Sequence, residues 1–260
     1  MIAPPTSHRT SPIETLICPD ESVLAEAVAA RLITRIVDAQ SAHGVASIVL
    51  TGGGVGIATL RAVAASPARD AVDWSRVDVY WGDERFVPAD DDERNEKQAR
   101  EALLDRLPFD PKRIHPMAAS DGPDGGDLEA AAARYADLLA AAAPDGAAVP
   151  RFDVLMLGMG PEGHTASMFP GTDAVAEEER AVVGVTECPK PPPTRISMTR
   201  KAIASADEVW LIAAGDSKAD AVSRIIRGAG PIELPAASAV GRHRSLWLLD
   251  QAAAGKLGRV

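Results

Sequence analysis

The segment FDVLMLGMGPEGHTASMFP, residues 152–170, begins with an almost uninterrupted apolar run and passes directly into a glycine-rich turn. A short apolar run that ends at turn residues is typical of a strand buried on both faces of a sheet. Such strands occur in parallel sheets that helices cover on both sides. We therefore predict a strand over residues 152–158, followed by a turn that carries His164.

Strand-like and helix-like segments alternate along the rest of the chain. Further strands are predicted at residues 14–18, 46–50, 77–82 (followed by a charged loop), 181–185, 195–199, 209–215 and 245–250. Helices are predicted from Asp20 or Ser22 to Gly44, from the TGGGVG segment to Val63, and at residues 95–107, 128–143 and 217–227. This alternation predicts an α/β fold with three αβα layers, in which helices cover both faces of a mostly parallel, Rossmann-like sheet.

We expect a single domain over residues 13–260 and a flexible tail over residues 1–12, whose His8 is expected to be inert. The tail lacks the apolar segment of a signal peptide, and no apolar run approaches the roughly 20 residues that a membrane helix needs. The two cysteines, Cys18 and Cys188, have neither disulfide nor metal-site spacing, which fits a reducing compartment. The sequence therefore predicts a cytoplasmic protein with no membrane span.

The composition argues against nucleic acid as a partner. The formal net charge is −10 and the isoelectric point is about 5.0, whereas a nucleic-acid-binding surface is basic. Local cations and backbone amides can still bind a small anion in a chain of this charge. We therefore expect a small-molecule partner, and a chain that is a monomer or a homodimer.

The first unusual strand end is TGGGVG, residues 51–56. Ligands of open α/β sheets bind beyond the carboxyl ends of the strands, and glycines there present backbone N–H groups to an anion at a helix N-terminus. No GK[ST] follows, and Thr59 stands where a dinucleotide fingerprint has its third glycine. The segment thus predicts a phosphate site of another kind, formed by Thr51, Gly52, Gly53 and Gly54.

Charged residues mark two further junctions. Asp83 and Arg85, in WGDERFVP, are explained equally well by a solvated loop and by a functional site. Lys218 lies in the first turn of a predicted helix, where a cation opposes the helix dipole, and this placement favours contact with a bound anion. Arg195 follows a Pro-rich loop and is a second candidate cation.

His164 follows Gly163 on a strand-to-helix turn that faces the predicted ligand crevice. No second His or Cys stands at ligand spacing, so a zinc site is not predicted. A neutral imidazole with an ordinary pKa near 6.5 is suited to general-base catalysis, and a packed structural histidine is the alternative. GHTAS is not a G-x-S-x-G elbow, so Thr165 and Ser167 are not expected to be nucleophiles.

These motifs resemble those of the 6-phosphogluconolactonases, which share a superfamily with glucosamine-6-phosphate deaminase and ribose-5-phosphate isomerase. The matching pieces run in family order from about residue 14 to 254: LTGGG, WGDERFVP, Asn95, FDVLMLGMGPEGHTASMFP, RISMT, GDSKADAV and LPAASAV…LWLLDQAA. Ser167-Met168-Phe169-Pro170 is similar to the lactonases, whereas the deaminases continue with I-A-F-N-E-P. Two positions depart from the family: Glu162 replaces the usual Asp, and Arg94 replaces a frequent Ser.

The resemblance implies hydrolysis of 6-phospho-D-glucono-1,5-lactone to 6-phospho-D-gluconate in the oxidative pentose phosphate pathway, without a metal or cofactor. It implies that His164 activates water and that either Asp83 or Glu162 orients the imidazole. Arg85 would serve the oxyanion or the phosphate. The implied substrate- and phosphate-binding residues are Thr51, Gly52, Gly53, Gly54, Gly163, Thr165, Arg195 and Lys218.

Three other functions remain open at this point. A phosphosugar isomerase or deaminase would use Asp83 to abstract a proton, and the missing FNEP-type continuation counts against it. A non-catalytic phosphosugar sensor would need the same pocket, and no basic helix-turn-helix segment accompanies it. A nicotinamide dehydrogenase is weakened by the missing third glycine.

Overall fold

The computed structural model describes residues 12–258, so all of the predicted tail except Pro12 lies outside the described residues, and His8 with it. The strands are β1 Ile13–Cys18, β2 Ala46–Leu50, β3 Val77–Trp81, β4 Asp83–Arg85, β5 Val154–Gly158, β6 Val182–Val185, β7 Arg195–Met198, β8 Glu208–Ala213 and β9 Arg244–Asp250. The helices are α1 Glu21–His43, α2 Gly54–Ala65, α3 Asn95–Ala102, α4 Leu128–Ala141, α5 Asp173–Ala176, α6 Arg200–Ile203 and α7 Ala219–Ile226. Short 3₁₀ turns lie between several of them.

Six of the strands within residues 12–258 form one sheet in the order β1-β9-β8-β5-β2-β3, and all of their pairings are parallel. Strand β5, the strongest sequence prediction, lies between β8 and β2, and every residue from Val154 to Leu157 is buried. The predicted three-layer α/β fold with a mostly parallel sheet is confirmed. Because the strands run in one direction, the segments after β2, β3, β5 and β8 meet at one edge of the sheet.

Helix α1 shows how local sequence sets an element's ends. The Asp20 side chain accepts a hydrogen bond from the backbone N–H of Val23 at 2.9 Å, so Asp20 rather than Ser22 is the N-cap. Gly44 ends the helix with φ +87°, a left-handed conformation that glycine adopts without strain. Between these caps the helix packs against β1, β2 and β9.

A second sheet, with the strand order β4-β7-β6, is antiparallel. Here the sequence interpretation was wrong, because it treated Asp83–Arg85 as a loop and did not separate residues 181–185 and 195–199 from the main sheet. The chain leaves the main sheet at Gly82, whose N–H donates to Leu50 at 3.1 Å and whose carbonyl accepts from Met198 at 2.8 Å. This one residue therefore joins the two sheets.

Two predicted helices are shorter than expected. The helix predicted over residues 95–107 ends at Ala102, because Leu103 leaves the helical region with φ −143° and a 3₁₀ turn follows. The helix predicted over residues 217–227 divides into a 3₁₀ turn, Asp216–Lys218, and α7. Within residues 12–258, no helix is both long and apolar enough to cross a membrane.

Candidate active site

A cavity of about 420 Å³ opens where the carboxyl ends of the central strands meet the small second sheet. Nine of the predicted site residues line it: Thr51, Gly52, Gly53, Gly54, Asp83, Arg85, His164, Arg195 and Lys218. They come from segments that are far apart in the sequence. The structure thus brings the predicted phosphate loop, the charged strand end and the histidine turn into one cavity.

The TGGG segment forms the N-terminal end of α2. Gly53 is the N-cap with φ +84°, and no side chain of the described residues caps the helix, so the first backbone N–H groups of α2 can donate to a ligand. A Cβ atom on Gly52 would lie 1.9 Å from Oδ1 of Asn95, so only glycine fits there. The Thr51 hydroxyl accepts from the N–H of Gly158 at 3.1 Å, which ties the end of β2 to the end of β5.

The turn after β5 positions His164 through backbone hydrogen bonds and a ring contact. The Gly160 N–H donates to the carbonyl of His164, and the Gly163 N–H donates to the carbonyl of Gly160, each at 3.0 Å. The imidazole stacks on the ring of Phe169, with centroids 4.3 Å apart and an interplanar angle of 28°. Backbone and ring contacts together fix the direction in which the imidazole faces the cavity.

Glu162 contacts two cationic or potentially cationic groups. Its Oε1 lies 3.1 Å from Nδ1 of His164, and its Oε2 lies 3.1 Å from Nζ of Lys190. The Nδ1 contact is short but does not have hydrogen-bond geometry, so it is an electrostatic contact in this conformation. The carboxylate is therefore shared between the imidazole and the ammonium group, one oxygen to each.

The pKa values of these groups follow from burial and charge. Burial lowers the pKa of His164; the Glu162 carboxylate opposes this effect and the Lys190 charge adds to it. Burial raises the pKa of Glu162, but its own backbone N–H, His164 and Lys190 outweigh this and leave the pKa below its usual value. A neutral imidazole beside an ionised carboxylate is the state expected near neutral pH.

Asp83 and Arg85 lie at the two ends of β4. The Oδ2 atom of Asp83 accepts a hydrogen bond from the Ser167 hydroxyl at 2.6 Å, so this buried carboxylate is fixed by the turn that carries the histidine. Arg85 donates through Nη1 to the backbone carbonyl of Glu93 at 2.6 Å, while its buried Nε has no hydrogen-bond partner among residues 12–258. The guanidinium of Arg85 therefore keeps hydrogen-bonding capacity at the cavity wall.

Arg195 and Lys218 are bound differently. Arg195 is buried and donates through Nε to Pro192 at 3.0 Å and through Nη2 to Lys190 at 3.1 Å, while its Nη1 lies 3.9 Å from Asp83. Within the described part of the chain, the hydrogen-bond partner of the Lys218 Nζ is a neutral group, the Ser217 hydroxyl at 3.0 Å. Burial lowers the pKa of Lys218, and the nearby charge of Lys190 lowers it further.

Two predicted substrate-binding residues differ from the expectation. Thr165 is fully buried, and its hydroxyl donates to the carbonyl of Gly158 at 2.8 Å. Gly163 is also buried with φ +81°, and a Cβ atom there would lie 2.6 Å from the side chain of Leu234. Neither residue lines the cavity, because both are used to build the turn.

The chain matches one family model over residues 19–247, which is described as glucosamine-6-phosphate isomerases/6-phosphogluconolactonase. The chain belongs to this family. A 6-phosphogluconolactonase from Streptomyces coelicolor is 62% identical over 92% of this chain and 93% of that protein. A 6-phosphogluconolactonase from Mycobacterium tuberculosis is 54% identical over 93% of this chain and 97% of that protein.

Solved structures show the same fold. The 6-phosphogluconolactonase from Trypanosoma brucei has a TM-score of 0.82 and 28% sequence identity, and the match covers 96% of this chain and 100% of that one. A monomeric glucosamine-6-phosphate deaminase of the NagB superfamily matches with a TM-score of 0.76 and 21% identity over 94% of this chain and 99% of that one. The deaminase likeness concerns the fold alone.

Arg94, one of the two departures from the family pattern, is fully buried in this member. Its Nη2 donates to Glu96 at 2.9 Å and lies 3.7 Å from the buried carboxylate of Glu84. Glu84 accepts from the backbone N–H groups of Arg85, Asn95 and Glu96 at 2.7–2.8 Å. This buried pair ties β4 to the start of α3 and so supports the wall that carries Asp83 and Arg85.

Sequence reasoning missed two residues on the cavity wall of this family member. Asn95 matched the family pattern but had no assigned role; its Nδ2 donates to the carbonyl of Asp83 at 2.9 Å. Lys190 directly precedes the Pro-rich loop that leads to Arg195, lines the cavity, and had no assigned role. The signal that could have found it is a lysine beside prolines that lead into a site residue.

Proposed function

We infer that this chain hydrolyses 6-phospho-D-glucono-1,5-lactone to 6-phospho-D-gluconate, a step of the oxidative pentose phosphate pathway. The relatives at 62% and 54% identity, both named 6-phosphogluconolactonases, support this function over the deaminase, sensor and dehydrogenase alternatives. The structural observation that carries it is the shared cavity of His164, the TGGG helix N-terminus and Lys218. A general base and an anion site in one cavity are what a phosphorylated lactone requires.

We propose that the substrate phosphate binds at the N-terminus of α2. The backbone N–H groups of Gly52, Gly53 and Gly54 would donate to it, and Lys218 would add a charge-assisted hydrogen bond. Lys218 suits this role because its ammonium group has no acidic partner within salt-bridge distance among the described residues. Arg195 would contribute its Nη1 group and its positive charge from the cavity wall.

His164 would act as the general base. The neutral imidazole takes a proton from a water molecule, and the resulting hydroxide adds to the C1 carbonyl of the lactone. The bond between C1 and the ring oxygen then breaks, and the imidazolium returns the proton to that oxygen. The proposed hydrolysis does not require a metal, because a lactone is an activated ester.

The tetrahedral oxyanion needs preorganised donors. At the end of β5 and in the turn that follows, the N–H groups of Gly158, Gly160 and Gly163 already donate within the protein. We therefore propose that the N–H groups of Met159 and His164 donate to the oxyanion. Arg85 would be a charged third donor or a phosphate ligand.

Glu162 is proposed to orient the imidazole and to stabilise its charged form. Its carboxylate lies 3.1 Å from Nδ1, whereas Asp83 is held by Ser167. Asp83 would act at longer range and shape the floor of the cavity. These two assignments separate the roles that the sequence alone left interchangeable.

The direct test is a coupled lactone-hydrolysis time course, corrected for spontaneous hydrolysis, with wild type, His164→Ala and His243→Ala. His243 is a matched control because its side chain is 67% exposed and contacts Asp207, away from the cavity. We expect His164→Ala to lower kcat by about 10² to 10⁴-fold with little change in KM, and His243→Ala to behave as wild type. Near-wild-type turnover by His164→Ala would refute the general-base role. Release of ammonia from glucosamine 6-phosphate without lactone turnover would favour the deaminase function.

A single domain over residues 13–260, a cytoplasmic location and a monomeric or homodimeric state stay predictions. Light scattering on the purified chain would measure the assembly state. One cooperative unfolding transition, seen by two independent probes, would support the single domain.

A further inference from the structure

The contacts behind His164 extend past Glu162 to Lys190. The two oxygens of the Glu162 carboxylate face the imidazole and the ammonium group at the same distance, 3.1 Å. The Glu162 side chain is about one-third exposed, at 34%, so it is not held by packing alone. Glutamate also has one more rotatable bond than the aspartate usual at this position, and the added freedom opposes a single fixed geometry. A contact with Lys190 would therefore limit the movement of this carboxylate.

The backbone that carries Lys190 is itself fixed. The buried guanidinium of Arg195 donates to the carbonyls of Lys190 at 3.1 Å, Pro191 at 3.3 Å and Pro192 at 3.0 Å. Arg195 belongs to β7, so these bonds tie the loop to the small sheet. Lys190 thus extends toward Glu162 from a defined position.

We propose that Lys190 is a positioning residue, which holds one oxygen of Glu162 so that the other stays against the imidazole of His164. The proposal rests on the proposed role of His164 as general base. Lys190 would not touch the reacting atoms; it would act through Glu162. The contacts run in order from Arg195 to the Lys190 loop, to Glu162 and to His164.

Phosphate binding is the other role open to a lysine on this cavity wall. The two lysines of the cavity differ in their partners: Lys190 is paired with a carboxylate, whereas Lys218 contacts a neutral hydroxyl. A phosphate at Lys190 would have to compete with Glu162 and would lie beside its negative charge. The contacts therefore favour Lys218 as phosphate ligand and Lys190 as positioning residue.

Three charged groups act on the imidazole: Glu162 from its own turn, Lys190 from the Pro-rich loop and Asp83 from β4. The ring of Phe169 covers one face of the imidazole. The positive charge of Lys190 lowers the pKa of His164 and also occupies part of the Glu162 carboxylate. Without Lys190, both effects are lost. The pKa of His164 should then rise, and the imidazole should lose part of its fixed orientation.

The test follows the pH titration of the His164 ring by NMR in wild type, Lys190→Met, Lys190→Arg and Lys201→Met, with His164→Gln used to assign the signal. Lys201 is a matched control because it is exposed, donates to the backbone carbonyl of Glu179 at 2.8 Å and lies outside the cavity. Steady-state kinetics on the same proteins gives the pH profile of kcat/KM.

We expect Lys190→Met to move both the titration midpoint and the acid limb of kcat/KM to higher pH, and to lower kcat at neutral pH about tenfold. Lys190→Arg should keep the titration midpoint, the acid limb and kcat close to their wild-type values. Lys201→Met should change none of them. A raised KM with an unchanged titration and pH profile would overturn the proposal and make Lys190 a phosphate ligand. An unchanged titration with unchanged kinetics would overturn it as well. If wild type hydrolysed no lactone, the proposed function would fail. The NMR titration would still show whether Lys190 acts on the His164 imidazole through Glu162.

Discussion

The Nδ1 atom of His164 occupies the space that a side chain at position 160 would need: a Cβ atom on Gly160 would lie 2.0 Å from it. The same Cβ would lie 2.7 Å from Oε2 of Glu162. Gly160 is therefore required by the close approach of the imidazole and the carboxylate, and not only by the turn. The glycine and the histidine of this motif form one steric unit.

Gly160→Ala should displace the imidazole and lower kcat by about 10²-fold, since a misplacement of about 1 Å can cost that much. Gly126→Ala is the control, because a Cβ there meets nothing within 4 Å. Steady-state kinetics and a urea unfolding curve on both variants would separate catalysis from stability. Normal kcat in Gly160→Ala would mean that the position of His164 is not critical.

Lys218→Met should raise KM by about tenfold and leave kcat nearly unchanged, because it removes a charge-assisted contact made in both ground and transition states. Lys201→Met is again the matched control. Initial rates over a range of lactone concentrations give both constants. A loss confined to kcat would instead place Lys218 at the reacting carbon.

The wild-type pH profile should reflect the burial of His164. A general base must be neutral, and burial lowers the pKa of this imidazole below its usual 6.5. Activity should therefore persist as the pH falls to 6.5 and decline only below that value. We expect this decline in kcat/KM after subtraction of the spontaneous rate. A midpoint above 6.5 would show that the Glu162 charge outweighs burial.

Glu84→Gln should change how stability depends on pH. Burial raises the pKa of Glu84 from 4.5 to about 7, against the opposing charge of Arg94 and three backbone N–H groups. Between pH 4.5 and 7 the folded protein keeps a proton that the unfolded chain releases, so this group's contribution to stability is lost as pH rises. Glutamine does not titrate, so the Glu84→Gln variant lacks this contribution to the pH dependence.

The measurement is the free energy of unfolding in urea at several pH values for wild type and Glu84→Gln. The wild-type value minus the variant value should fall across this window, by about 3 kcal/mol at most. Glu178→Gln, whose parent side chain is 77% exposed, is the control for replacing a surface glutamate with glutamine. A flat difference for Glu84→Gln would show that the carboxylate is ionised throughout.

The main sheet could be predicted because its strands are buried on both faces, which leaves continuous apolar runs such as residues 46–50 and 154–157. The small sheet could not. Its strand β4 consists of Asp83, Glu84 and Arg85, and burial of charges in a strand depends on partners from other segments, such as Arg94. No local pattern contains that information.

The candidate site was predictable where its residues lie within a few positions of a strand end, as for Thr51 after β2, Asp83 after β3 and Lys218 after β8. Within the histidine turn the backbone takes an unusual path, with φ +48° at Ala166, and the Thr165 hydroxyl is bonded to the carbonyl of Gly158. The Lys190 contact depends on the folding of a Pro-rich loop that has no periodicity. The positions of these residues in the sequence indicated the correct edge of the sheet. The contacts of each side chain could be identified only from the three-dimensional structure.

The β4–β7 ladder pairs Asp83 with Ser197 and Arg85 with Arg195, residues separated by more than one hundred positions in the chain. Cutting the exposed segment at residues 144–148 would leave the phosphate loop in one fragment and the histidine turn in the other. Neither fragment would contain a complete cavity. Lactone turnover by a mixture of the two would then report their reassociation, which makes the fold a candidate for a split reporter.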